Sequence, residues 1–362
     1  MLFLKKQVID ALRTVEDPDL KQDLVTLGMI QDLGVNQKQV TFTLVLTTPA
    51  CPLQEILKKA CIEAIYAKVA ADLEITIQLD TQVTSTRTHD PVLPQVKNII
   101  AIASGKGGVG KSTVAVNVAV ALAKCGAQVG LLDADIFGPS IPTMLGCEQE
   151  KPQVMHQAGK NYLVPLEKHG IKLLSMGLLA PADEAMVWRG PMASKALRQL
   201  LGDTFWGVLD YLLIDLPPGT SDIHLTLVQA VPVTGAVIVT TPQKIALVDA
   251  TKALEMFQKQ GIDVPILGVV ENMAYFTAPE LPNSKYYLFG QEGGKEFAAQ
   301  HKLPFLGQIP LVQRIREGGD AGIPVVLQEN AGAFDNIAAA LAQQVAIRNA
   351  RLAPTQTVER TR

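Results

Sequence analysis

Nine consecutive residues, Gly105-Lys106-Gly107-Gly108-Val109-Gly110-Lys111-Ser112-Thr113, carry the densest chemistry in this 362-residue chain. Gly105 to Ser112 fits the spacing G-x-x-x-x-G-K-[ST], a bend suited to polyphosphate. Its four glycines let backbone N–H groups converge on phosphate oxygens without Cβ clashes. A helix N-terminus after the bend adds unpaired donors and positive potential. Lys111 then reaches the β- and γ-phosphates as a point charge, and Ser112 ligates Mg²⁺ through its hydroxyl. The expected ligand is ATP. The pattern alone is short, so context decides: the bend must follow a buried strand and open a helix.

Two acidic segments add to it. Asp215 ends the run Tyr211-Leu-Leu-Ile-Asp215 and precedes Leu216-Pro217-Pro218-Gly219-Thr220. An acid at the carboxyl end of a sheet strand, beside a phosphate bend, belongs with Mg²⁺. Asp133 and Asp135 follow a second apolar run, Val129-Gly-Leu-Leu. Either can orient water for attack on a γ-phosphate; the alternative is that they cap the next element, as Asp often does.

The elements that must position these residues are legible as two rhythms. Residues 3–14 read as a short helix with Val8, Ile9 and Leu12 on one face. Val40 to Leu46 reads as a strand, and Pro52 opens a helix with the stripe Leu53, Ile56, Leu57, Ala60, Cys61, Ala64 and Ile65. Glu74 to Leu79 alternates like a half-buried strand. These make a small α+β domain over residues 1–83. A polar stretch with two prolines, 84–96, is the expected linker. From there the pattern alternates apolar runs (Ile99 to Ala103, Val129 to Asp133, Tyr211 to Asp215, Gly235 to Thr240, Pro265 to Val270) with helical segments such as Lys111 to Lys124, Ala246 to Gln260 and Ala333 to Ala350. Such alternation predicts an α/β domain over 97–350, with a mainly parallel sheet covered by helices on both faces. Residues 351–362 read as a flexible tail.

At this resolution of motif the sequence resembles a known class. Lys106 stands five residues before Lys111, as in the deviant Walker A ATPases, a class that includes the Min and Par partition ATPases, nitrogenase iron protein and arsenite-pump ATPases. Asp133-Ala-Asp-Ile-Phe-Gly-Pro-Ser-Ile-Pro142, Trp188-Arg-Gly-Pro-Met192, Asp215-Leu-Pro-Pro-Gly-Thr-Ser-Asp222 and Glu271-Asn-Met273 narrow the resemblance to the Mrp/ApbC family of iron–sulfur cluster carrier ATPases. The first domain resembles the small SufT-like domain of iron–sulfur assembly factors, on Asp17-Pro-Asp19, Leu27-Gly-Met-Ile30 and Thr47-Thr-Pro-Ala-Cys-Pro52. The resemblance implies a P-loop NTPase that works as a homodimer, hydrolyses ATP slowly with Mg²⁺, and serves apoprotein clients of iron–sulfur assembly. It implies that Lys106 reaches the partner copy's phosphates, that Asp135 positions or activates water, and that Asp133, Asp215 and Ser112 lie at Mg²⁺. It also implies that Asn272 touches adenine, and that Pro310 to Arg316 borders the base; a strand-end cap is the other reading of Asn272.

The sequence departs from that family at one place. After Glu271-Asn-Met-Ala-Tyr-Phe276, Ala278 and Leu281 stand where the family has the CxxC that holds the cluster. Neither side chain ligates iron, and a dimer normally supplies two thiolates per chain to a four-thiolate site. Of the remaining cysteines, Cys51 precedes a predicted helix N-terminus, where the dipole lowers a thiol pKa, and is the candidate ligand. Cys61 falls on an apolar stripe, Cys125 reads as packing, and Cys147 lies in a loop. Five scattered histidines show no i, i+4 pair.

Composition bounds the alternatives. A net charge of −3 and pI of about 6.0 give no basic stripe for nucleic acid. No run approaches the ~20 apolar residues of a bilayer span, and Met1-Leu-Phe-Leu-Lys-Lys, without a long apolar stretch, does not read as a signal peptide. Four cysteines without a framework fit a reducing, cytoplasmic setting. Besides a cluster carrier, three readings stay open: a partition switch binding membrane or DNA through Arg348, Arg351, Arg360 and Arg362, an electron-transfer reductase, and a cluster-free ATPase scaffold that recruits clients.

Overall fold

The protein was analysed as a computed structural model, which describes residues 2–36, 38–87, 92–157, 159–179, 190–278, 281, 284–328 and 332–358. The chain forms two units, Met1–Thr84 with Ala346–Leu352, and Ser85–Val345 with Ala353–Arg362.

In the smaller unit, helix α1 (Leu2–Leu12) buries Val8, Ala11 and Leu12. The short pair β1 (Glu16–Asp17) and β2 (Gln22–Asp23) follows. Strands β3 (Ile30–Val35), β4 (Gln39–Leu46) and β5 (Glu74–Thr81) form a sheet with β4 in the middle. β4 runs antiparallel to β3 and parallel to β5; helix α2 (Gln54–Lys68) makes the crossover that parallel strands require. Alternate residues of β4, Val40, Phe42 and Leu44, pack with Leu57, Cys61 and Ile65 of α2 in one core. The helical period places 57, 61 and 65 on a single stripe. Ile56, expected on that stripe, is 58% exposed, because five residues from Cys61 at about 100° each carry it well over a third of a turn from the stripe's centre. Pro52 lies in the turn before the helix, whose N-cap is Leu53.

Much of the expected linker is fastened to the larger unit. Ser85 Oγ donates to the Lys97 carbonyl at 2.7 Å, and the Arg87 guanidinium donates to the carbonyls of Val92, Leu93 and Val96. Residues 88–91 of that segment lie outside the described residues.

The larger unit opens with β6 (Val96–Ala103), α3 (Lys111–Lys124), β7 (Val129–Asp133) and the single turn α4 (Ile141–Met144). A polar hairpin, β8 (Gln153–Gln157) and β9 (Lys160–Val164), leads to β10 (Leu166–Lys168) and β11 (Ile171–Ser175). Then come α5 (Gly190–Gly202), β12 (Leu209–Asp215), α6 (Asp222–Ala230), β13 (Gly235–Thr240), α7 (Lys244–Gln258) and β14 (Ile266–Glu271). α8 (Gly293–Gln300), β15 (Phe305–Gln308), α9 (Gln313–Asp320) and α10 (Gly332–Arg351) follow, the last six residues of α10 belonging to the smaller unit.

Among the described residues the main sheet has eight strands in the order β10-β11-β7-β12-β6-β13-β14-β15. Every neighbouring pair is parallel except β10 with β11. β6 is buried along nearly its whole length, as a strand covered on both faces must be. On one face Leu197, Leu201, Leu227, Val228, Leu254 and Phe257 of α5, α6 and α7 join the sheet core; α3 lies against β7 and β12. From β6 the chain first winds toward β7, then returns past β6 to β13. That reversal puts a crevice at the carboxyl end of β6, where ligands bind in open α/β sheets.

Candidate nucleotide-binding site

The glycine bend fills that crevice. It joins the end of β6 to the start of α3, as the mechanism requires. Gly108 and Gly110 adopt φ of 81° and 82°, a left-handed backbone that favours glycine. Gly105 is glycine for another reason: a Cβ there would lie 2.0 Å from the backbone carbonyl carbon of Asp249 in α7. Ser104 Oγ donates to the Lys106 carbonyl at 3.0 Å. Among the described residues, the N–H groups of Lys106 through Gly110 donate to nothing. A run of orphan donors ahead of a helix N-terminus is an anion site by construction.

At its foot lies a buried polar cluster. Lys111 Nζ sits 2.7 Å from Asp215 Oδ1, and Ser112 Oγ donates to Asp215 Oδ2 at 2.6 Å. Lys111 is 6% exposed and Asp215 not at all. Strand register extends the cluster sideways: Ser175, Asp133 and Asp215 are Cα partners across β11, β7 and β12. Ser175 Oγ donates to Asp133 Oδ2 at 2.9 Å, and the Asp135 N–H donates to Asp133 Oδ1 at 3.1 Å. Beyond Asp215, the Leu216 and Gly219 N–H groups donate to the Ile102 and Ser104 carbonyls, which lashes the Pro217-Pro218-Gly219 segment to the bend.

Three carboxylates therefore share one crevice with Lys111. Burial pushes Asp133 above the ordinary carboxylate range, and the neighbouring Asp215 adds to it; Ser175 and Lys111 oppose. Burial also raises Asp215, against the pull of the Lys111 ammonium and the Ser112 hydroxyl. Asp135 is half-buried and raised by the same cause, with Lys111 again opposing. Its carboxylate also faces the backbone N–H groups of Phe137 and Gly138 in the loop; the next helix, α4, has Ser140 and neither aspartate as its N-cap.

Asn272 reaches the bend from the end of β14. Its Nδ2 donates to the Val109 carbonyl at 2.9 Å, a brace on the phosphate bend that neither sequence reading of this residue included. Lys106 is half-buried and has no acidic partner among the described residues. In the Pro310–Arg316 segment, the Leu311 N–H bonds to the Tyr275 carbonyl at 2.7 Å, and Arg316 pairs with Asp320 at 2.7 Å. Trp188 and Arg189 of the family motif lie outside the described residues.

The sequence reading missed Ser175 and Glu271. Ser175 ends the strand Ile171–Ser175, apolar but for Lys172, as Asp133 and Asp215 end theirs; that shared strand-end position was the available signal. Glu271 is fully buried at the end of β14.

The thiols correct two expectations. Cys51 is raised, not lowered: burial dominates, and the Asp17 and Asp19 carboxylates add to it against the Leu53 N–H. Cys125, expected to pack, is exposed. Cys61 is buried and pushed up to about 12. Cys147 is buried too, with Sγ donating to the Pro142 carbonyl. Among the described residues, no group of three or more His, Cys, Asp or Glu side chains is arranged to hold a metal. The Leu281 N–H donates to the Ala278 carbonyl at 3.0 Å.

Comparison with known proteins agrees with this geometry. The family model described as NUBPL iron-transfer P-loop NTPase matches residues 95–346, and that of an iron-sulfur cluster assembly protein matches 5–77. An "Iron-sulfur cluster carrier protein" of Synechocystis sp. is 49% identical over 340 residues, covering 94% of this chain and 96% of its own. One of the same name from Deinococcus radiodurans is 45% identical over 353 residues, covering 96% and 98%. A solved nucleotide-binding protein from Archaeoglobus fulgidus in complex with ADP superposes with a TM-score of 0.55 at 41% identity, covering 64% of this chain and 88% of that one.

Two outcomes follow from the packing and the charges. Gly105→Ala drives a methyl into the α7 backbone, so thermal unfolding should show a loss of about 3 kcal/mol or more; an unchanged melting temperature would mean the bend is free to move. In magnesium-free buffer, folded Asp133 holds its proton more tightly than unfolded Asp133 does. Its contribution to stability is therefore lost as pH rises from about 4 through its raised folded pKa. Asp133→Asn should flatten that fall and melt higher than the parent at alkaline pH.

Proposed function

This chain belongs to the NUBPL iron-transfer P-loop NTPase family, and from that premise we propose that it hydrolyses ATP to carry or assemble iron–sulfur clusters for apoprotein clients. The observation that carries the nucleotide half is the run of unpartnered N–H groups from Lys106 to Gly110, seated above Lys111. In this reading the phosphates of ATP take those donors and the first turn of α3. The Lys111 ammonium, now on Asp215, turns to the β- and γ-phosphates.

Ser112 and Asp215 place two oxygens 2.6 Å apart, a donor set that fits Mg²⁺; Asp133 lies beside them. Bound there, the ion neutralises charge on the phosphate oxygens. Asp135 orients the attacking water from the loop after β7. Asn272 serves the adenine with its amide oxygen, since its nitrogen is committed to Val109. Lys106, without an acidic partner among the described residues, serves the γ-phosphate of a second copy, so the working form is a homodimer. Exposed apolar side chains favour this: Ile245 and Val248 project from α7, the helix that meets Gly105, and Phe137 follows Asp135. Free thiols at all four cysteines fit the cytoplasm, and among the described residues no helix is long and apolar enough to cross a membrane.

One observation favours a second reading, a cluster-free ATPase scaffold. Ala278 and Leu281 offer iron nothing, and Leu281 is 51% exposed. Of the arginines that the partition-switch reading invokes, Arg348 is buried and Arg351 donates to the Asp19 carbonyl, while Arg360 and Arg362 lie outside the described residues.

Phosphate release under saturating Mg-ATP tests the enzyme. The parent should turn over slowly, Lys111→Ala should fall to background, and Lys106→Ala should keep nucleotide binding while losing most hydrolysis. Parent-like turnover in Lys111→Ala sinks the assignment. Anaerobic reconstitution with iron and sulfide counts per chain, on the parent and Cys51→Ser, separates the two readings. Iron in the parent that is lost on Cys51→Ser supports carriage through that thiol; none in the parent supports the scaffold.

A further inference from the structure

Glu271 poses a physical question that the nucleotide site does not answer by itself. Its carboxylate is fully buried, and among the described residues no cation pairs with it. Such a group is costly unless its oxygens are filled. Both are: the Gly294 N–H, in the first turn of α8, donates to Oε2, and Gln308 Nε2, at the end of β15, donates to Oε1 at 2.8 Å. The helix N-terminus supplies the compensating positive potential. The fit is tight, since a Cβ at Gly294 would come within 2.9 Å of Glu271 Cβ and Oε2.

One side chain thus ties β14 to β15 and to α8. After it the chain turns through Asn272 and Met273, with φ of 54°, stays bonded to residues 309–311 as far as Phe276, and comes back against Glu271 at α8. Glu271 holds both ends of that excursion. The backbone at the same point is pinned by the Ile309 N–H on the Glu271 carbonyl at 2.9 Å and the Asn272 N–H on the Thr240 carbonyl at 2.8 Å.

Asn272, the next residue, braces the phosphate bend through Val109. The approach is close there too: a Cβ at Gly110 would lie 2.1 Å from Asn272 Nδ2. Where β14 ends therefore sets where Val109 and Gly110 sit, and with them the start of α3. We propose that Glu271 is a positioning residue of the phosphate bend, acting through Asn272, with Gln308 as its working partner. The assignment rests on the nucleotide reading above and extends it to residues that touch no phosphate.

The test is a carboxylate–amide exchange in the full chain, read by Mg-ADP titration calorimetry beside nucleotide-free melting curves. Gln308→Glu puts two carboxylates where one hydrogen bond was, and should weaken Mg-ADP binding about tenfold. Adding Glu271→Gln restores the pair with roles exchanged: the new amide oxygen accepts from Gly294, and its NH₂ donates to the new carboxylate. Affinity should return to within about threefold of the parent. Gln308→Ala, which removes a donor and adds no charge, is the milder variant if the first folds poorly, with a loss of about threefold expected. If these variants melt lower yet bind Mg-ADP like the parent, Glu271 is only a structural tie and the proposal fails; failure of the exchange to restore affinity overturns it too. A parent that does not bind Mg-ADP overturns the nucleotide reading itself, a separate outcome.

Discussion

The larger unit is organised around a buried charge that cannot be left alone. Asp215 has no exposure to solvent, and Lys111 and Ser112 fill its two oxygens. Two buried ions gain little net stability from each other, yet stripping one of its partner is expensive. The fold accepts that cost at the point where the chain needs a mobile cation next to a row of unfilled backbone donors. An ammonium held by one carboxylate is already desolvated and already close to where phosphate would arrive. Among the described residues neighbouring Asp133 has no ion pair of its own and relies on Ser175 and a backbone N–H, with Lys111 opposing the effect of burial only weakly.

Strand register makes this arrangement possible. Because β11, β7 and β12 run parallel and in step, Ser175, Asp133 and Asp215 arrive at one level. The same logic recurs on the other side of β6, where Glu271 closes β14 against β15 and α8. The crevice is thus framed by buried carboxylates at strand ends. Each is satisfied in its own way: by a lysine, by a serine, or by a helix start and an amide. Glycines at 105, 110 and 294 permit the close approaches.

The smaller unit is built differently. Its core is α1, α2 and one face of a three-stranded sheet, with Cys61 inside it. Its more accessible thiol, Cys51, lies near Asp17 and Asp19, which resist thiolate formation. Whatever that loop contributes to iron–sulfur chemistry begins from a protonated sulfur, so a reaction there requires a base or a metal to draw off the proton.

What the sequence determined alone was local or periodic. The bend at 105–113, the helix after it, and the apolar strands ending in Asp133 and Asp215 follow from glycine stereochemistry, capping and burial on two faces. The two domain rhythms are legible for the same reason, since each depends on residues near one another in the chain; that Ala278 and Leu281 stand in place of a CxxC came from the family resemblance. Only the tertiary structure decided what depends on register and packing. It made Ser175 and Glu271 part of the site's support, turned the Asn272 amide onto Val109, and raised the Cys51 thiol that a helix-dipole argument would lower. It also left Ile56 and Cys125 outside and drew Arg348 inside. Each of those facts joins residues distant in sequence, and a pairing across strands has no signature in a single chain until the sheet order is known.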